Sequence, residues 1–237
     1  MPVDSLSTYA IPGFREPICS LSHLTGAVVF GLLAPWLIAR RRGRRGWTIS
    51  LIILGVASVT LLSLSGVYHM LWPGVGRQVM LRLDVAGVYV LIAATITPIH
   101  VILFHGWAQW GPVALAWFLA IAGLTLRLVF FDYLPPAAGT LGFLILGWGG
   151  VFSCIVLWRR HGWPFVQPLF YGGVAYTVGA IVLSVRWPVL IQGVIGPHEL
   201  WHFAVLAGLG FHWIFVFRVA ANRIAALRPE SPAAMPM

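Results

Sequence analysis

Lysine is absent from this 237-residue sequence, and acids are scarce: six Asp and Glu stand against fifteen arginines. Charged residues make up only 9% of the chain, far below the roughly 25% of soluble proteins. With 59% hydrophobic residues and a mean hydropathy of +0.90, there is too little polar surface to cover a water-soluble core. Only two cysteines occur, Cys19 and Cys154. Both fall in or beside apolar runs, where small buried hydrophobes are expected rather than a disulfide. Residues 1–17 lack a basic stretch leading into a short apolar core and cleavage site, so the first span is expected to be its own insertion signal.

What is abundant is apolar sequence in long runs. Stretches near the ~20 residues that cross hydrocarbon occupy about 21–39, 47–71, 83–104, 110–131, 138–158, 169–185 and 197–217. No linker is long enough for another domain. The expectation is an all-α polytopic membrane bundle of seven transmembrane helices, one domain over residues 1–237. Barrel strands would need runs of ~10 residues of alternating polarity, and none occur. Twelve Trp and fourteen Phe suit the two bilayer interfaces.

The arginines Arg40, Arg41, Arg42, Arg44 and Arg45 crowd the first loop. Beside a membrane span they are read as topology signals and contacts to anionic headgroups. Membrane lipids are the expected partners and nucleic acid is not. Ten arginines on the loop 1–2, loop 5–6 and C-terminal side against five on the other place the N-terminus outside by the positive-inside rule.

Counting spans brings the polar residues together. Glu16 precedes the first span, His69 closes the second, Asp84 opens the third, and His198, Glu199 and His202 open the seventh. All lie at one membrane face, although ionisable groups at such depth are costly unless paired or functional. His198 and His202 are four residues apart, so on a helix they rise ~6 Å and differ by ~40°. Both imidazoles point one way, as when one helix gives two ligands to zinc. The alternative is a pair of histidines hydrogen-bonded to neighbouring helices.

The same spacing joins Ser65 to His69, which offers a third imidazole. Three protein ligands with one open position describe a catalytic zinc site, whereas four ligands describe a structural one. Asp84 is positioned to hold a water or accept its proton; otherwise it is a first-turn acid that complements the helix dipole or pairs with Arg82. His198-Glu199-Leu200-Trp201-His202 also fits the HExxH pattern of metalloproteases, with Glu199 as base. The competing role for Glu199 is an acid at a helix N-terminus. His100, His105, His161 and His212 lie too far away to join; His23 is expected to be a packing residue, with contact to a ligand's outer side as the alternative. Trp148, Gly149, Gly150, Tyr171, Gly172 and Gly173 either shape a lipid cavity or mark close helix packing.

Three motifs together carry a resemblance: Ser65-x-x-x-His69, the run from Arg82-Leu83-Asp84 to Thr97-Pro98, and His198-x-x-x-His202, with Arg15-Glu16-Pro17 and Ser22-His23 before them. The chain resembles the hemolysin III family, which belongs with the progestin and adiponectin receptors. The resemblance implies a seven-helix bundle with zinc (Zn2+) on His69, His198 and His202, and with Ser65 and Asp84 beside the metal. Val85 stands where many relatives have a His after the Asp. Alkaline ceramidases are distantly similar, which implies hydrolysis of an amide or ester in a lipid. A membrane-lytic or pore-forming protein, and a ligand-sensing receptor with structural zinc, are the alternatives. Likeness to the receptors implies an N-terminus inside, against the arginine count.

Overall fold

Residues 11–39 and 45–226 are described by the structure, a computed structural model. Eight helices follow in order: α1 (Pro17–Ala39), α2 (Arg45–Met70), α3 (Val75–Leu103), α4 (Trp107–Val129), α5 (Pro136–Trp148), α6 (Val151–His161), α7 (Trp163–Val185) and α8 (Pro197–Ala226). Seven stretches are long and apolar enough to span a bilayer, the fifth made of α5 and α6 together. This is the all-α seven-helix bundle expected. Arg40, Arg41, Arg42 and Arg44 lie outside the described residues, and Arg45 opens α2.

Helix ends shift by several residues from the sequence expectation, and three of the differences have a clear physical cause. The fifth span is interrupted at Gly149 and Gly150, where the Gly150 N–H bonds the Gly147 carbonyl at 3.1 Å. Consecutive glycines give a helix little support, each about 1 kcal/mol worse than alanine. The sixth span starts at Trp163 rather than at 169, because Trp163, Pro164 and Gln167 lower hydropathy without opposing a helix start. The third span starts at Val75, so Asp84 does not open its helix but lies more than two turns inside it. Hydropathy overlooks those turns because Arg77 and Arg82 interrupt them. Nor does Asp84 pair with Arg82, which instead donates to Asp132 at 2.7 Å.

Packing runs through neighbours in sequence, with α1 on α2, α2 on α3, α3 on α4 and α7 on α8, while α8 also meets α1 and α3. One apolar core joins Phe30 and Leu37 of α1, Leu54 and Leu62 of α2, Leu91 of α3 and Leu209 and Trp213 of α8. In lipid, burial of apolar groups gives helices no preference for one another, so close approach and hydrogen bonds decide. Accordingly, a Cβ on Gly66 would stand 2.6 Å from Leu24 Cγ, which shows how tightly α1 lies on α2. Gly172 meets the His212 ring and the Gly208 carbonyl, so close packing of α7 on α8 is its role. Outward-facing Leu32, Val56, Phe118, Ile121, Ile145 and Phe152 suit contact with acyl chains, while exposed Trp72, Trp107, Tyr133 and Trp187 lie at or beyond helix ends as interfacial aromatics do.

Candidate metal centre

The site is assembled where the chain enters α1 and leaves α2. The backbone N–H groups of Arg15 and Glu16 donate to the carbonyls of Met70 (3.3 Å) and His69 (3.0 Å). The Ser20 hydroxyl donates to the Gly66 carbonyl at 2.7 Å. The two backbone bonds use orphan carbonyls at the end of α2 and bring Glu16 beside His69. Arg77, from the first turn of α3, completes the corner: Nη1 donates to the carbonyls of Tyr68 (3.0 Å) and Leu71 (2.8 Å), and Nη2 to Glu16 Oε1 at 2.8 Å.

His69 and His202 are buried, and His198 is partly buried. The Nε2 atoms of His69 and His202 lie 3.4 Å and 3.2 Å from Nε2 of His198. Ligand nitrogens around a tetrahedral ion with bonds of ~2.0–2.1 Å would be separated by ~3.3–3.4 Å. One proton on His198 Nε2 serves one of these contacts, whereas a cation at their centre serves all. Together with Cys19 Sγ, the three imidazoles offer ligand atoms within 4.8 Å of one another. The structure therefore gathers a His/Cys cluster that can hold a metal ion.

The outer nitrogens of two rings are engaged in a way that suits ligation. His69 Nδ1–H donates to Glu16 Oε2, which leaves the Nε2 lone pair directed into the cluster. His202 Nδ1 stands 2.9 Å from His23 Nε2. For His202 to present its Nε2 lone pair, Nδ1 must donate to His23, whose proton then sits on Nδ1. That His23 Nδ1 is buried with no partner among the described residues. Burial alone would raise the Glu16 carboxyl, but the hydrogen bond from His69 and the neighbouring Arg77 guanidinium outweigh it and hold it at about 2. A carboxylate is thereby kept beside His69 at neutral pH.

Ser65 is buried and Asp84 partly so. Ser65 lies near enough to the Asp84 carboxyl to interact with it, and Asp84 also lies near His69. All five residues singled out in the sequence therefore come to one end of the bundle. Glu199 points elsewhere: Oε2 accepts the Gly196 N–H at 2.8 Å, and Oε1 accepts the Cys19 thiol at 3.4 Å. The bond back to the residue before Pro197 is half of a capping box, so the structure assigns Glu199 to the helix start.

The remaining histidines lie apart from the cluster. His100 bonds the Ala108 carbonyl (2.8 Å) and the Ser153 hydroxyl (2.9 Å), His212 bonds the Gly208 carbonyl (2.8 Å), and His105 and His161 are exposed. Three neighbours of the cluster stand outside the main sequence expectation: Cys19 and Arg77, which it did not connect with the site, and His23, for which contact was the secondary reading. Cys19 and His23 had a signal, since Glu16, Cys19 and His23 recur every three or four residues along one face of α1.

An apolar groove of about 490 Å³ runs between α2, α3 and α4. Its lining includes Leu64 and Leu83, the neighbours of Ser65 and Asp84, but none of the imidazoles. Trp148, Gly149, Gly150 and Tyr171 do not line it.

The family model for "Haemolysin-III related" proteins matches residues 14–213. The protein named Hemolysin-3 of Bacillus cereus is 28% identical over 200 residues, 82% of this chain and 87% of its own length. The Hemolysin-3 homolog of Bacillus subtilis (strain 168) is 27% identical over 160 residues, 68% and 72% of the two chains. An uncharacterized protein of Schizosaccharomyces pombe is 26% identical over 154 residues, 57% of this chain and 34% of its own.

Proposed function

The chain belongs to the haemolysin-III related family of multi-pass membrane proteins, and within that family we propose that it is a zinc-dependent hydrolase of an amide or ester bond in a lipid. The reading rests on one observation: the Nε2 atoms of His69, His198 and His202 gather in one cluster, with Asp84 near His69 and Ser65. Imidazole nitrogens suit zinc, and three of them leave a position open. A bound zinc ion would supply Lewis acidity, polarising a carbonyl and drawing the pKa of a water from 15.7 towards about 7.

The protein's own groups then divide the work. His69, His198 and His202 would hold the ion. Glu16 fixes the His69 ring through Nδ1, and His23 fixes His202. Asp84 takes a proton from the attacking water and returns it to the departing amine or alcohol, which leaves a free carboxylic acid. Ser65 holds the Asp84 carboxyl in place. The apolar groove that begins beside Leu64 and Leu83 is large enough for part of an acyl chain, which favours a substrate arriving sideways from the bilayer.

The relatives' name speaks of haemolysis, and a pore would need polar groups along a path through the bundle. Mid-depth hydroxyls are instead occupied: Ser58 and Thr97 bond carbonyls one turn back at 2.7 Å and accept the indole N–H groups of Trp213 and Trp117. A second reading has its own support, because Cys19 Sγ lies within reach of the three imidazoles. A fourth ligand there would close the site and make the zinc structural.

Purified protein reconstituted with synthetic ceramides, N-acyl lipids and ester lipids tests the proposal. Zinc-dependent release of fatty acid, lost in a zinc-loaded Asp84→Asn variant, is the expected result. Lack of hydrolysis in the zinc-loaded wild type, with the metal lost in Cys19→Ala, would replace the hydrolase by the structural site.

A further inference from the structure

A second charged group lies inside the bundle and takes no part in the histidine cluster. Arg127 sits in the last turn of α4 and is only 6% exposed. Its Nε and Nη1 are buried without a hydrogen-bond partner among the described residues. The nearby acid Asp132 is committed to Arg82 at 2.7 Å. What Arg127 has is the ring of Phe131, with its centroid 5.1 Å from Cζ. Contact with a ring does not satisfy N–H donors, and burying a guanidinium without an acceptor is costly.

The surroundings are shaped for something further. Gly139, the fourth residue of α5, faces the guanidinium: a Cβ there would stand 2.8 Å from Nη2 and 3.0 Å from Cζ. The start of α5 has no side-chain cap and no acid in its first turn; Pro136 brings no N–H and Ala138 N–H bonds the Pro135 carbonyl at 3.0 Å, but no side chain of the helix offsets the partial positive charge there. A helix N-terminus and an unpartnered buried guanidinium thus meet at one place. Tyr89 of α3 borders the same place, its ring against Gly123 and its hydroxyl against Gly142, near enough to feel the Arg127 charge.

Depth narrows the choice of ligand. Arg127 is two residues from the end of α4, close to where hydrocarbon gives way to headgroups. An arginine there ordinarily extends outward to the interface, but this one is folded beneath the start of α5. Planar guanidinium donors beside a helix N-terminus match the oxygens of a phosphate.

We propose that Arg127, the N-terminal turn of α5 and the Tyr89 hydroxyl form a binding site for a phosphate group, borne by an anionic phospholipid or present as free phosphate. The site is separate from the metal centre and stands whether or not the protein is a hydrolase.

The test uses full-length protein stripped of lipid in detergent, with phosphatidylglycerol in mixed micelles and inorganic phosphate as separate probes. Thermal stabilisation is read together with ligand retention in native mass spectrometry. Arg127→Gln removes the guanidinium, and Gly139→Ala fills its cradle while keeping the charge. Binding weakened about tenfold or more in Gly139→Ala, and in Arg127→Gln where that variant folds, supports the site. A response to phosphatidylglycerol alone identifies the lipid, and a response to inorganic phosphate that the lipid does not exceed identifies the free ion. Equal binding in wild type and Gly139→Ala, or no phosphate-dependent response in wild type, overturns the proposal even if Arg127→Gln fails to fold.

Discussion

Replacing Glu16 by alanine isolates the electrostatic support of the candidate metal centre from its scaffold. The backbone bonds that tie this corner together, from Arg15 and Glu16 to Met70 and His69, do not involve the side chain. Arg77 keeps its two carbonyl partners, Tyr68 and Leu71. What is lost is the acceptor for His69 Nδ1–H, which holds the ring in the tautomer that faces inward. Removal of such an outer partner costs about 10–100-fold in metal affinity, or about 1.4–2.7 kcal/mol. Zinc affinity measured by chelator competition on detergent-purified protein should fall by that factor in Glu16→Ala. Asp132→Ala, which removes an exposed acid paired with Arg82, should leave it unchanged. Equal affinities in wild type and Glu16→Ala would refute the assigned role of the carboxylate.

His23→Leu removes the partner of His202 Nδ1 and should lower zinc affinity by about tenfold in the same assay. Asp84→Asn should retain the metal yet lose about 10²–10⁴-fold in turnover of whichever lipid amide or ester wild type cleaves; undiminished turnover would remove Asp84 from the chemistry. Gly66→Val forces side-chain atoms into Leu24, whose backbone nitrogen would lie 3.2 Å from the new Cβ. Overpacking of this kind costs about 1–3 kcal/mol, so thermal unfolding should occur at lower temperature, with metal retention weakened because α1 carries Glu16 and His23.

The seven spans were legible because lipid demands long apolar helices, and the spacing of His198 and His202 was legible because helix geometry puts i and i+4 on one face. Parity then placed His69, Ser65 and Asp84 at the same membrane face. The start of α3 escaped hydropathy because Arg77 and Arg82 make its first turns polar. Arg77 in fact serves the end of α2, a contact across a turn that no local pattern encodes. Glu199 was ambiguous in sequence because a helix-capping acid and the base of an HExxH motif occupy the same position; only its bond to Gly196 N–H separates them. Arg127 gave no local signal either, since an arginine near a span end normally reaches the interface, and its inward turn depends on the side-chain-free surface at Gly139.

Elemental mass spectrometry of detergent-purified protein tests the central claim most directly, comparing wild type with His69→Ala, His202→Ala and, as a control, the exposed His105→Ala. About one zinc per chain in wild type and His105→Ala, lost in the other two variants, is the predicted result. Well-folded wild type without zinc, or zinc retained after loss of His69 and His202, would contradict it.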